Sequence, residues 1–95
     1  METPRQYKVS YTETAIQDLE ERADYISCQF QDPALALSWY TRLRDAIQRE
    51  LITMPGKYPL YSLEPWHSKG IHLFTFRNDV ILYSVDEGSS CVYIR

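Results

Sequence analysis

The chain has 95 residues, enough for one domain and too few for two. Its 44% hydrophobic and 24% charged residues are ordinary globular composition, and a net charge of −3 with a pI near 5.3 argues against gripping nucleic acid by bulk electrostatics. Acidic residues concentrate before position 33 and several basic ones fall between Arg42 and Arg77, so the charges are expected to segregate between faces.

Tyr7, Val9 and Tyr11 alternate with Lys8 and Ser10, which predicts a short strand. Thr12 is a natural N-cap with Glu13 in the first turn, and Ile16, Leu19, Ala23, Ile26 and Phe30 form the apolar stripe of a first helix. Asp18, Glu20, Glu21 and Asp24 fall on its solvated face. Asp32-Pro33 supplies a cap and a first-turn proline for a second helix, whose stripe is Ala36, Tyr40, Leu43, Ile47, Leu51 and Met54 and which Pro55-Gly56 ends. The short link between the helices predicts an antiparallel hairpin.

The last third supplies the surface on which the hairpin rests. Tyr58 to Leu63 is a weak edge-strand candidate interrupted by Pro59, and Glu64 to Lys69 is a loop. Ile71 to Arg77 reads as a strand, Asn78-Asp79 as a turn, and Val80 to Val85 as a central strand buried on both faces. Asp86 to Ser90 is a turn and Cys91 to Ile94 begins a last strand. The order predicts an α+β fold, β-α-α-β-β-β with one further strand possible, in which the hairpin packs on one face of a small, mostly antiparallel sheet and residues 1–95 form a single domain.

Candidate chemistry is sparse. There is no phosphate loop, nucleophile elbow or His-Glu-x-x-His, and no cofactor or metal is expected. Cys28 and Cys91 have no metal-ligand spacing and read as buried free thiols, with a disulfide between them as the alternative. Alternation puts His72 on the same face as Phe74 and Phe76, where it is either a half-buried hydrogen-bonded histidine or a general acid–base. His67 reads as an exposed loop residue. Lys57, Lys69 and Arg77 are expected near the open sheet face, as ordinary surface charge or as a cluster for phosphate or a partner's carboxylates. Trp66, in Pro65-Trp66-His67, is either a core plug or an exposed interface anchor. Met-Glu-Thr-Pro-Arg-Gln at the start lacks the apolar core of a signal peptide, and no stretch is long enough to span a bilayer, so a cytoplasmic location is expected.

Four stretches, each a weak motif alone, carry a resemblance as an ordered set. They are Tyr7 to Thr12 with Ala15, Asp18-Leu19 and Tyr25-Ile26; the second helix from Pro33 to Met54-Pro55; Lys69-Gly70-Ile71-His72 followed by Val80 to Asp86; and Val92-Tyr93-Ile94-Arg95. Together they make the chain resemble the RelE/ParE toxin superfamily over almost its whole length. The resemblance implies the toxic half of a type II toxin–antitoxin pair, related to plasmid-stabilisation proteins and neutralised by a cognate antitoxin. ParE-like members inhibit DNA gyrase; RelE-like members cut mRNA in the ribosomal A site with basic residues and often a tyrosine or histidine.

Two departures from the family pattern matter. His72 stands where arginine is common in the family, and the sequence ends at Arg95, before the basic tail that supplies RelE-like catalytic groups. The acidic net charge and the missing tail place first a ParE-like growth inhibitor that poisons DNA gyrase. A ribosome-dependent endonuclease is second, with His72, Arg77 and Tyr83 as its catalytic candidates, and a non-toxic relative that only binds an antitoxin is third. For all three, the open sheet face with Phe74, Phe76 and Arg77 is expected to form much of the antitoxin or target interface, joined by Lys69 and Trp66. Oligomerisation is open: a homodimer, which a helical hairpin with Trp39 exposed could support, or a toxin–antitoxin hetero-oligomer.

Overall fold

The computed structural model describes residues 6–95. Strand β1 (Lys8–Tyr11) leads into helix α1 (Glu13–Phe30), helix α2 (Pro33–Leu51) and a single 3-10 turn (Pro55–Lys57); strands β2 (His72–Phe76), β3 (Asp79–Asp86) and β4 (Cys91–Ile94) follow. The expected α+β order is the observed one. The Tyr58–Leu63 stretch is reduced to a bridge at Leu60, opposite His72, because Pro59 has no N–H to give a ladder.

Capping starts both helices. The Thr12 hydroxyl accepts from the Ala15 amide at 3.2 Å, and the Asp32 carboxylate accepts from the Leu35 amide at 3.2 Å with Pro33 in the first turn. Each such cap is worth about 1 kcal/mol. Gln31 closes α1 in the left-handed region, φ 49°, and the chain reverses at once into α2. The inward face of α1 is set by Ala15, Leu19, Ala23 and Ile26; Ile16 and Phe30, expected on the stripe, are exposed. On α2, Ala36, Leu43, Ala46, Ile47 and Leu51 are buried, and Met54 lies beyond the helix end and exposed.

The sheet order is β1-β4-β3-β2, with β1 parallel to β4 and the other pairs antiparallel. Register puts Val9, Tyr11, Val92, Ile94, Ile81, Tyr83, Phe74, Phe76 and His72 on one face. That face meets the hairpin: Phe74, Ile81, Tyr83, Val92 and Ile94 join Ala15, Leu43, Ala46, Ile47 and Leu51 in the core. The opposite face carries Leu73, Thr75, Val80, Leu82, Ser84 and Tyr93. β3 is central as expected but is not buried on both faces, since Val80 is 61% exposed. The two-residue turn before it is Arg77-Asn78, one position earlier than expected, and Asp79 pairs with Phe76.

Candidate functional site

The candidate side chains separate into three places. The first lies where β2 begins. The His72 ring stacks on Tyr83, centroids 5.1 Å apart and planes 16° apart, as their pairing across β2 and β3 dictates. His72 Nδ1 lies 2.8 Å from the Tyr58 carbonyl. A carbonyl only accepts, so Nδ1 carries the proton. Tyr58 packs on Phe74 and donates its hydroxyl to Glu50 at 3.1 Å; Lys57 donates to the same carboxylate oxygen at 2.7 Å. The Lys57 ammonium and Tyr58 hydroxyl together hold the Glu50 carboxyl below its ordinary range.

Tyr83 is fully buried, and its hydroxyl donates to the Pro55 carbonyl. Burial, with a smaller contribution from Tyr58, pushes its pKa far up. A hydroxyl so placed fastens the strap after α2 to the central strand and stays protonated. Arg77, the third of the expected catalytic trio, sits five residues from His72 along β2, roughly 16 Å at the usual strand rise. The structure thus brings His72 and Tyr83 together and leaves Arg77 at the far end of the strand.

The second place is the open sheet face and the loop beside it. Phe74 is 4% exposed and Phe76 is half-buried against the same core, so both lie under the helices and not on the expected open face. Alternation groups residues by face, but the helices cover the face that buries more apolar area, here the aromatic one. The open face is instead flanked by the 61–71 loop. Trp66 is 43% exposed and meets Tyr61 edge-on at 5.8 Å. With Lys69, Ile71, Leu82, Arg95, Thr14 and Asp18 it lines a shallow cavity of about 360 Å³. Arg95 reaches across Ser84, donating to its hydroxyl from Nε at 3.2 Å and Nη2 at 3.1 Å. Trp66 and Lys69 are therefore brought together. Lys57, bound to Glu50, and Arg77, at the β2–β3 turn, do not join them.

The third place was not legible in the sequence. Arg42 and Arg49 on α2 share a concavity of about 250 Å³ with Asp45, Phe76 and Arg77. Arg44, between them in sequence, points elsewhere: its guanidinium lies 4.8 Å from the Tyr11 ring and donates to the Tyr40 hydroxyl at 3.3 Å. The signal available was the spacing of residues 42, 45 and 49, which shares one helix face, but nothing in the sequence placed Arg77 beside it.

Both thiols are free. Cys91 is buried as expected, whereas Cys28, near the end of α1, is exposed. Trp39 is half-buried, packed against the core. No helix among the described residues is long and apolar enough to cross a membrane. Compared with family models, curated proteins and solved structures, the chain finds no match.

Proposed function

We propose that this chain is the toxin of a type II toxin–antitoxin pair, ParE-like within the RelE/ParE superfamily, acting in the cytoplasm by binding DNA gyrase and held inactive by a cognate antitoxin. The family reading rests on the resemblance over the ordered motifs, and the β-α-α-β-β-β order with its hairpin on one sheet face is consistent with it. The observation that carries binding over RNA cleavage is the state of Tyr83. Its hydroxyl is sequestered on the Pro55 carbonyl, His72 Nδ1 is committed to the Tyr58 carbonyl, and Arg77 stands at the other end of β2. General acid–base cleavage of a phosphodiester requires such groups to converge on one phosphate.

The antitoxin interface belongs on the open face in this reading, with Trp66 as anchor and Leu73, Val80 and Leu82 as the apolar field beside it. Lys69 and Arg95 supply the charged rim.

The test is induction of this chain in bacteria lacking any antitoxin, with DNA and protein synthesis followed by separate pulse labels. Loss of DNA synthesis first supports gyrase as target. Loss of protein synthesis first transfers the chain to the RelE-like endonucleases. No change in either, with soluble folded protein, overturns toxicity and leaves an antitoxin-binding relative.

A further inference from the structure

The concavity beside the β2–β3 turn is built from two elements. The spacing of Arg42, Asp45 and Arg49 puts them on one face of α2. Phe76, the last residue of β2, faces that helix and supplies the apolar wall. In a continued strand Arg77 would project to the opposite face. Instead its φ is +56°, the chain turns there, and its guanidinium lies 5.4 Å from the Phe76 ring, lining the same space as Arg42 and Arg49. A left-handed backbone at a residue other than glycine costs roughly 1–2 kcal/mol. The turn bears that cost where it directs a cation into the patch.

These cations are not spent on the protein's own carboxylates. Among the described residues neither Arg42 nor Arg77 forms an ion pair, and Arg49 reaches only Glu50, at 3.8 Å. That carboxylate is already held by Lys57 at 2.7 Å. With Asp45 counted, the concavity carries a net charge of two positive units, in a chain whose total is −3. One carboxylate is saturated by a single guanidinium fork, whereas a phosphate presents enough oxygens for several. The cation–π contact with Phe76 favours the orientation in which Arg77 lines the concavity, which lowers the ordering cost of binding.

We infer that the concavity bounded by Arg42, Arg49, Phe76 and Arg77 binds the phosphate group of a nucleotide or of a nucleic acid strand. The site stands on this patch alone and is independent of the toxin reading. Asp45 opposes the anion and limits its affinity.

The experiment is an NMR titration of the full chain, 15N-labelled, with inorganic phosphate, adenosine 5′-monophosphate and a short single-stranded RNA. Saturable shifts are expected at amides 42–49 and 76–77. Arg42→Gln and Arg77→Gln each weaken binding about tenfold or more, the loss of one charge-assisted contact. Asp45→Asn tightens it, and Lys8→Gln, outside the patch, leaves it unchanged. If the monophosphate binds as tightly as RNA, the source is a nucleotide. If RNA binds more tightly and log K falls with log salt at about −0.7 per phosphate engaged, it is a strand. The inference is overturned by the absence of saturable shifts at these amides, by equal affinity in both arginine variants with unchanged thermal stability, or by a glutamate-rich peptide binding there while phosphate does not.

Discussion

The indole N–H of Trp39 donates to Asp79 Oδ2 at 2.7 Å, tying the middle of α2 to the first residue of β3. Arg22 of α1 approaches the other oxygen of the same carboxylate at 3.5 Å, so one side chain contacts both helices at the end of the sheet. Arg22 is well exposed, so its ion pair contributes little. The indole bond is part-buried and charge-assisted. In a double-mutant cycle of Trp39→Phe and Asp79→Ala, we expect a coupling of about 1 kcal/mol in denaturant unfolding. A coupling indistinguishable from zero would show that the bond does not hold the hairpin down.

Much of the architecture could be read from residues that act locally. Thr12 and Asp32-Pro33 announce helix starts through the bonds their own side chains make, and both caps are found where the chain places them. Alternation along β2 correctly grouped His72 with Phe74 and Phe76. What alternation lacks is which group the helices will cover: they cover the aromatic one and leave Leu73, Val80 and Leu82 on the open face. The site was less legible still. Arg42 and Arg77 are far apart in the chain and meet only because β2 ends under α2, a tertiary relationship with no local signature.

Phe74 and Val80 therefore have opposite consequences from those an aromatic open face would give. Phe74→Ala empties a core position and should cost about 3–4 kcal/mol, shifting the unfolding midpoint far down. Val80→Ala, at an exposed position, should stay within about 0.5 kcal/mol of the parent while weakening any partner on the open face. Similar costs for the two variants would contradict the assignment of faces.

Tyr83→Phe removes one oxygen and leaves the buried Pro55 carbonyl without its donor. The expected loss is about 1–2 kcal/mol of stability. The pH dependence has a definite sign. The folded pKa is raised, so the contribution is fully present below the unfolded tyrosine value of about 10 and is lost as pH rises above it. The variant should lack that part of the alkaline destabilisation. Thermal unfolding of both proteins from neutral to strongly alkaline pH makes the comparison; parallel curves would mean that the hydroxyl is not sequestered.

Glu50 gives the opposite slope. Its pKa is depressed, first by the Lys57 hydrogen bond and then by Tyr58. The resulting stability is present above the unfolded glutamate value, about 4.3, and is lost as pH falls through the lower folded value. Glu50→Gln should unfold at a lower temperature than the parent near neutrality, and the gap should close in acid. A gap that stays constant down to pH about 2 would assign the difference to packing rather than to charge.

Arg77 joins a stability cost to a binding role. Its φ of +56° is one that glycine adopts freely and β-branched residues resist. Arg77→Gly should therefore unfold at no lower denaturant concentration than the parent, although it gives up the contact with Phe76. Arg77→Val should fall below Arg77→Gly by about 1–2 kcal/mol. Both variants lose the guanidinium, so both should lose phosphate affinity alike while differing in stability. That pattern separates the side chain's role from the backbone's. If the glycine variant were the less stable of the two, the turn would not be held in the left-handed region, and the route by which Arg77 reaches Arg42 and Arg49 would have to be redrawn.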